Sequence, residues 1–198
     1  MDESANTDLR TARRQATARR INQCARDLTL ACGLDGFSMD DLAEAADVSR
    51  RTLFNYFSGK DAAVLGEELP FSPEAEAAFL SGGPHGDLVD DLAALVMSLL
   101  DRPELGREEI TQFRDLMSTE PRLLALVHER FQHRVDEALR HIEKREGPAY
   151  DAAAARTVVH LMAALFDHAL MRFVEQPERT LADLFTECVA HARTAFTH

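Results

Sequence analysis

The sequence predicts an all-α fold, and three observations carry that prediction. Ala, Leu, Arg and Glu dominate the 198 residues, whereas Trp is absent and Tyr occurs twice; this composition favours helix over strand. Apolar residues recur three and four apart over long stretches, and Pro and Gly fall between those stretches rather than inside them. A first helix is expected over 9–32, with Ile21, Ala25, Leu28 and Cys32 on one face and Gly33 and Gly36 ending it. Two short helices follow within 38–60, then a linking helix over 60–69. Pro70, Pro73 and SGGPHG at 81–86 mark loops around a short alanine-rich helix. Longer helices are expected over 87–101, 104–118, 120–146 and 149–175, with a last one over 180–196. Pro103, Pro121, Gly147-Pro148 and Pro177 punctuate them. The helix from Pro121 carries Leu124, Val127, Phe131, Val135, Ala138 and Ile142 as one stripe, and the last two helices are more apolar still.

The segment SMDDLAEAADVSRRTLFNYFSGK at 38–60 carries the most information. Ser38 is placed to cap the first short helix by accepting the amide of Asp41, whose carboxylate lies over the positive end of the helix dipole. Leu42, Ala43 and Ala46 give that helix a buried face. The pattern breaks at Asp47-Val48-Ser49, where Val48 plugs the corner and Ser49 caps the second helix. Leu53 and Phe57, four apart, pack inward. Arg50, Arg51, Thr52, Asn55 and Tyr56 remain on the outer faces, near the amino end where a recognition helix meets base edges and phosphates; Lys60 closes the segment. Two helices joined by a three- to four-residue turn form a helix-turn-helix.

The order Ser38, Leu42-Ala43, Ala46, Val48-Ser49, Thr52-Leu53, Tyr56-Phe57 and Lys60 resembles the DNA-binding signature of the tetracycline-repressor (TetR) family over roughly residues 12–66. Three positions depart from that signature. Asp47 stands where the family usually has glycine, Phe54 replaces a common tyrosine and so lacks a hydroxyl for a phosphate, and Ser38 replaces threonine. The resemblance implies an N-terminal three-helix DNA-binding domain over 1–60 and a larger helical ligand-binding and dimerisation domain over 61–198. It also implies a homodimer through the last two helices, a double-stranded palindromic operator, and a small, often hydrophobic effector held among the central helices. Phe113, Met117, His128, Phe131, Met162 and Phe166 are pocket candidates on residue type, although residues of these types more often serve as ordinary core.

The formal charge of -12 is unevenly distributed. Residues 1–60 carry nine Lys or Arg against nine Asp or Glu, and residues 61–198 carry 13 against 25. The excess acid therefore lies outside the reading segment, as a solvated surface. Arg10, Arg13, Arg14, Arg19 and Arg20 form a basic arm ahead of it, suited to phosphates and to salt-dependent affinity. Cys24, Cys32 and Cys188 lack metal-ligand spacing and suit a reducing cytoplasm as small core residues. His160 and His168 lie eight apart, too far for a zinc pair, so no metal or cofactor is expected. No apolar run approaches 18 residues and the N terminus is polar. An enzyme is disfavoured because no Glu has His three residues later, and Gly-x-Ser-x-Gly, His-Glu-x-x-His and a phosphate-binding loop are missing. The expected function is a ligand-responsive repressor. The alternatives are a DNA-binding regulator without an effector, and an activator.

Overall fold

The structure is a computed structural model that describes residues 3–68, 70–100, 106–147 and 150–197. Ten helices run in order as α1 Glu3–Cys32, α2 Met39–Ala45, α3 Arg50–Tyr56, α4 Lys60–Leu65, α5 Pro73–Leu80, α6 Leu88–Met97, α7 Arg107–Thr119, α8 Pro121–Glu146, α9 Ala152–Glu175 and α10 Leu181–Thr197. Among the described residues there is no strand. The all-α expectation holds, with corrections at element ends. α1 starts at Glu3 because no Gly or Pro interrupts the chain before Gly33. The expected arm is therefore part of this helix. α4 stops at Leu65 because Gly66 takes φ 76, where a helix ends cheaply only on glycine. α6 stops at Met97, where the Ser98 hydroxyl donates to the Leu95 carbonyl. Pro103 and Pro148 lie outside the described residues.

The chain folds into two compact units. The first comprises residues up to Glu68 together with Gln112–Val127. Its core gathers Ile21, Ala25, Leu42, Ala46, Leu53, Phe57, Val64, Leu116 and Leu123. Of the residues expected on the inner face of α1, Ile21 and Ala25 are buried and Leu28 is half-buried against the core. Cys32 is exposed and Thr29 is buried instead, its hydroxyl satisfied by the Ala25 carbonyl. α1 also secures α4: the Asn22 carboxamide donates to the Ala63 and Val64 carbonyls at 2.6 and 2.8 Å, and Arg26 Nε donates to Val64 at 3.1 Å. These bonds satisfy carbonyls that a helix C-terminus leaves open. Gly36 folds back on α1, where a Cβ would lie 2.1 Å from the Cys32 carbonyl oxygen, so no side chain fits. Downstream residues complete the unit. Glu120 accepts the Leu34 amide at 2.9 Å, Gln112 donates to Asp27 at 2.7 Å, and Arg122 pairs with Asp61. On α8 it is Leu123 that is buried, while Leu124 is 54% exposed, a one-residue correction to the expected stripe.

The second unit comprises Leu69–Thr111 and His128–His198. Phe79, Leu95, Val135, Ile142, Met162, Leu184 and Phe185 centre its core, and Phe166 meets Phe185 edge-on at 5.9 Å between centroids. α9 and α10 pack together. Arg107 lies 3.9 Å over the Phe173 ring and donates to the carbonyls of Phe173, Gln176 and Arg179, closing the C-terminal end of α9. Glu187 accepts from Arg179 at 2.9 Å and Arg172 at 3.0 Å, and those bonds hold its carboxyl below the usual range.

A buried ion pair joins α6 to α8 in this unit. Asp91 is fully buried and meets Arg145, whose side chain is 6% exposed and lies 4.8 Å over the Phe79 ring. The Asp91 carboxylate also accepts the amides of His85 and Gly86. Burial alone would raise its pKa, but these donors outweigh burial and the net shift is downward.

α9 is long and apolar enough by composition to cross a membrane. This departs from the expectation that no apolar run nears that length. Ala155, Val159, Met162, Ala169 and Phe173 lie in the core of the second unit, and a core helix meets the same criterion.

Candidate nucleic-acid interface

The helix-turn-helix is built by local rules that the structure bears out. At Ser38 the hydroxyl accepts the Asp41 amide at 3.2 Å while Asp41 accepts the Ser38 amide at 2.7 Å, a complete capping box. The Ser38 amide first, and then the Ser38 hydroxyl, which also donates to the Asp41 carboxylate at 2.8 Å, hold the Asp41 carboxyl below its ordinary range. Leu42, Ala43 and Ala46 are buried, and Val48 is half-buried against the same core. Ser49 caps α3, its hydroxyl accepting the Thr52 amide at 3.1 Å. Leu53 and Phe57 point inward at 0% and 4% exposure.

The turn between α2 and α3 has an unusual residue at its pivot. Asp47 takes φ 49, in the left-handed region that favours glycine. Its amide bonds the Glu44 carbonyl and the Val48 amide bonds the Ala43 carbonyl, each at 3.0 Å. That is a Schellman ending, in which one left-handed residue lets two amides fold back on open carbonyls. An L-residue pays roughly 1–2 kcal/mol in this region, least for Asp and Asn. Glycine would avoid that cost but lose about 0.4–1 kcal/mol through its freer unfolded chain. Asp47→Gly is therefore expected to raise the denaturant midpoint by a net gain of up to about 1 kcal/mol. A lower midpoint would refute strain at this turn.

The residues read from the sequence as contacting DNA fall into two groups. Arg51 and Asn55 are exposed on α3, and among the described residues Arg51 has no ion-pair or hydrogen-bond partner. Arg13 is exposed on α1. The others are engaged within the protein. Arg50 Nη1 reaches both oxygens of Asp40, at 2.8 and 3.0 Å, and its guanidinium lies 5.7 Å from the ring centroid of Phe54. Arg14 pairs with Glu67 at 3.5 Å and lies 5.0 Å from the Tyr56 ring. Lys60 Nζ donates to the Phe37 carbonyl at 2.8 Å. Thr52 shares a hydrogen bond with Ser49 at 2.8 Å. Asp40 escaped sequence reasoning because it meets Arg50 across the turn, ten positions away, where no helical period points.

The pocket candidates divide between the two cores. Phe113 and Met117 pack against the core of the first unit. Met162 is buried in the second, with Phe131 and Phe166 packed against it. His128 is exposed. His133, His160 and His168 are exposed as well.

Residues 23–65 match the family described as bacterial regulatory proteins, tetR family. A segment of 55 residues is 42% identical to a protein described as a candidate mycofactocin biosynthesis transcriptional regulator, MftR, from Mycobacterium tuberculosis strain ATCC 25618 / H37Rv. That similarity covers 28% of this chain and spans only 28% of the relative's length. The fold is similar to that of a crystal structure described as a candidate TetR-family transcriptional regulator from Rhodococcus sp. The TM-score is 0.51 at 20% sequence identity, over 90% of this chain and 98% of the other. The capped helix-turn-helix at 38–60 thus falls inside a segment similar to the DNA-binding part of the tetR family, carried on an all-helical fold similar to that of a TetR-family regulator.

Proposed function

We propose that the protein is a cytoplasmic, ligand-responsive repressor that works as a homodimer on a palindromic operator and is released by a small hydrophobic effector. Residues 1–60 serve as the DNA-binding domain, and 61–198 bind the effector and dimerise. The observation that carries the reading is the exposed polar face of α3 next to its Ser49 cap, with Arg51 and Asn55 open to solvent. In a dimer, two such helices enter successive major grooves about 34–36 Å apart. Arg13 meets phosphates beside the reading face, and Arg14, Ser38, Thr52, Tyr56 and Lys60 hold that face in shape through Glu67, Asp41, Ser49 and the Phe37 carbonyl. An effector held in the core of the second unit, by Phe131, Met162 and Phe166, lowers DNA affinity by as much as it prefers the non-binding state.

The deciding experiment is selection of binding sites from fragmented source DNA with purified protein at two salt concentrations. A palindromic consensus lost at the higher salt supports the reading, and absence of enrichment rejects it. Genes beside recovered sites would then supply metabolites to test for release.

Support for pairing through α9 and α10 comes from the outward side of α9, where Leu161 and Met171 are each 38% exposed with Ala164 and His168 between them. Large apolar side chains left open along one helix face suit an isologous contact with a second copy. The double variant Leu161→Asp, Met171→Asp is expected to halve the mass measured by light scattering. An unchanged dimer mass would move the interface elsewhere.

A further inference from the structure

We propose that Asp40 determines how selectively the protein holds DNA, by restraining the Arg50 guanidinium and cancelling its charge; this rests on α3 being the DNA-reading helix. α2 begins with two carboxylates in its first turn, Asp40 and Asp41. Asp41 is committed to the capping box with Ser38. Asp40 is the one that meets Arg50, and Phe54 offers its ring face to the same guanidinium at 5.7 Å. The two adjacent arginines of α3 therefore differ. Arg51 has no ion-pair or hydrogen-bond partner among the described residues, whereas Arg50 reaches the surface already neutralised.

The consequence follows from how cations bind a polyanion. Each phosphate contact made by an arginine releases condensed counterions and strengthens binding to any duplex alike, whatever its sequence. Such indiscriminate affinity competes with the operator, because random sites outnumber it greatly. A carboxylate that holds Arg50 off the phosphates removes about one such contact. It lowers affinity for random DNA and leaves discrimination to Arg51 and Asn55. The pair suits this role because both side chains are well exposed, 64% and 62%, so it forms without desolvation and contributes little to folding.

The test compares Asp40→Asn with the unaltered protein by fluorescence anisotropy, on a random-sequence duplex and on the duplex recovered by selection, across a salt series. The variant keeps the size of the side chain, and a far-UV circular dichroism melt checks its fold. Asp40→Asn is expected to bind the random duplex roughly threefold to tenfold tighter near 0.1 M salt, with the salt slope steeper by about 0.9. The ratio of selected to random affinity should fall. In an Arg50→Ala background the gain in slope should vanish, since no guanidinium is left to release. An unchanged slope, a ratio that holds, or a gain that persists without Arg50 would overturn the proposal. Weaker binding by Asp40→Asn would also overturn it, because Asp40 would then aim Arg50 at DNA rather than restrain it. Failure of the unaltered protein to bind either duplex in a salt-dependent way is a separate result, which removes the DNA-reading assignment of α3 and this proposal with it.

Discussion

Asp91→Ala is expected to destabilise the protein by about 3–5 kcal/mol, the cost of breaking a buried ion pair from one side. The substitution leaves Arg145, whose side chain is 6% exposed and packed over Phe79, with Glu146 at 3.0 Å and the Gly82 carbonyl at 3.4 Å as its remaining partners. It also frees the amides of His85 and Gly86, which have the Asp91 oxygens as acceptors. Chemical denaturation followed by far-UV circular dichroism would measure the loss, and a cost below about 1 kcal/mol would mean that the pair is not buried in solution. The same carboxyl predicts an acid limit. Its pKa is lowered on folding, so its stabilisation is complete above the unfolded value near 3.9 and is lost as pH falls through the lower folded value. Stability should therefore drop between about pH 4 and lower pH in the unaltered protein, and this part of the drop should be missing in Asp91→Asn.

Arg51→Ala is expected to weaken binding to the selected operator by about 1–3 kcal/mol without changing the melting curve. Arg51 is exposed and makes no ion pair or hydrogen bond among the described residues, so folding has little to lose. The form of the loss reports its role. A guanine contact would relax preference at one base pair on each half-site, whereas a phosphate contact would weaken all duplexes alike and lower the salt slope by about 0.9. Unchanged affinity in footprinting would reject this face of α3 as the reading surface.

The reading segment was legible because its determinants are local. Ser38 and Asp41 cap within one turn, Leu53 and Phe57 are one turn apart, and the family signature itself is a run of neighbouring positions. The Asp47 turn was legible for the same reason, since a family that uses glycine there implies a left-handed backbone, and φ 49 is what the aspartate adopts. Pairings across the chain left no such trace. Asp40 meets Arg50 over a turn, and Asp91 meets Arg145 over 54 positions. Periodicity also fixes a helix face only to within a step, which is why Leu124 was expected in the core and Leu123 occupies it. Cys32 is the last residue of α1 and its side chain is exposed, so the stripe stops one turn short of the helix end. Charge composition misled in one respect: counting arginines in 1–60 says nothing of which ones are already spent on Asp40 or Glu67.

The Glu120 carboxylate that accepts the Leu34 amide bears on how portable this DNA reader is. Leu116 and Leu123, on either side of Glu120 in sequence, are fully buried in the same core as Leu42 and Leu53. The reader is thus continuous in space but not along the chain. A cassette cut at Glu68 and transplanted onto another protein would carry every base-contacting candidate, yet would leave the places of Leu116 and Leu123 open to water. Such a graft would aggregate or melt early unless the host supplied two apolar side chains and an acceptor for the Leu34 amide. Domain shuffling at this boundary, in the laboratory or in evolution, is accordingly constrained to exchanges that bring their own short helical corner with them.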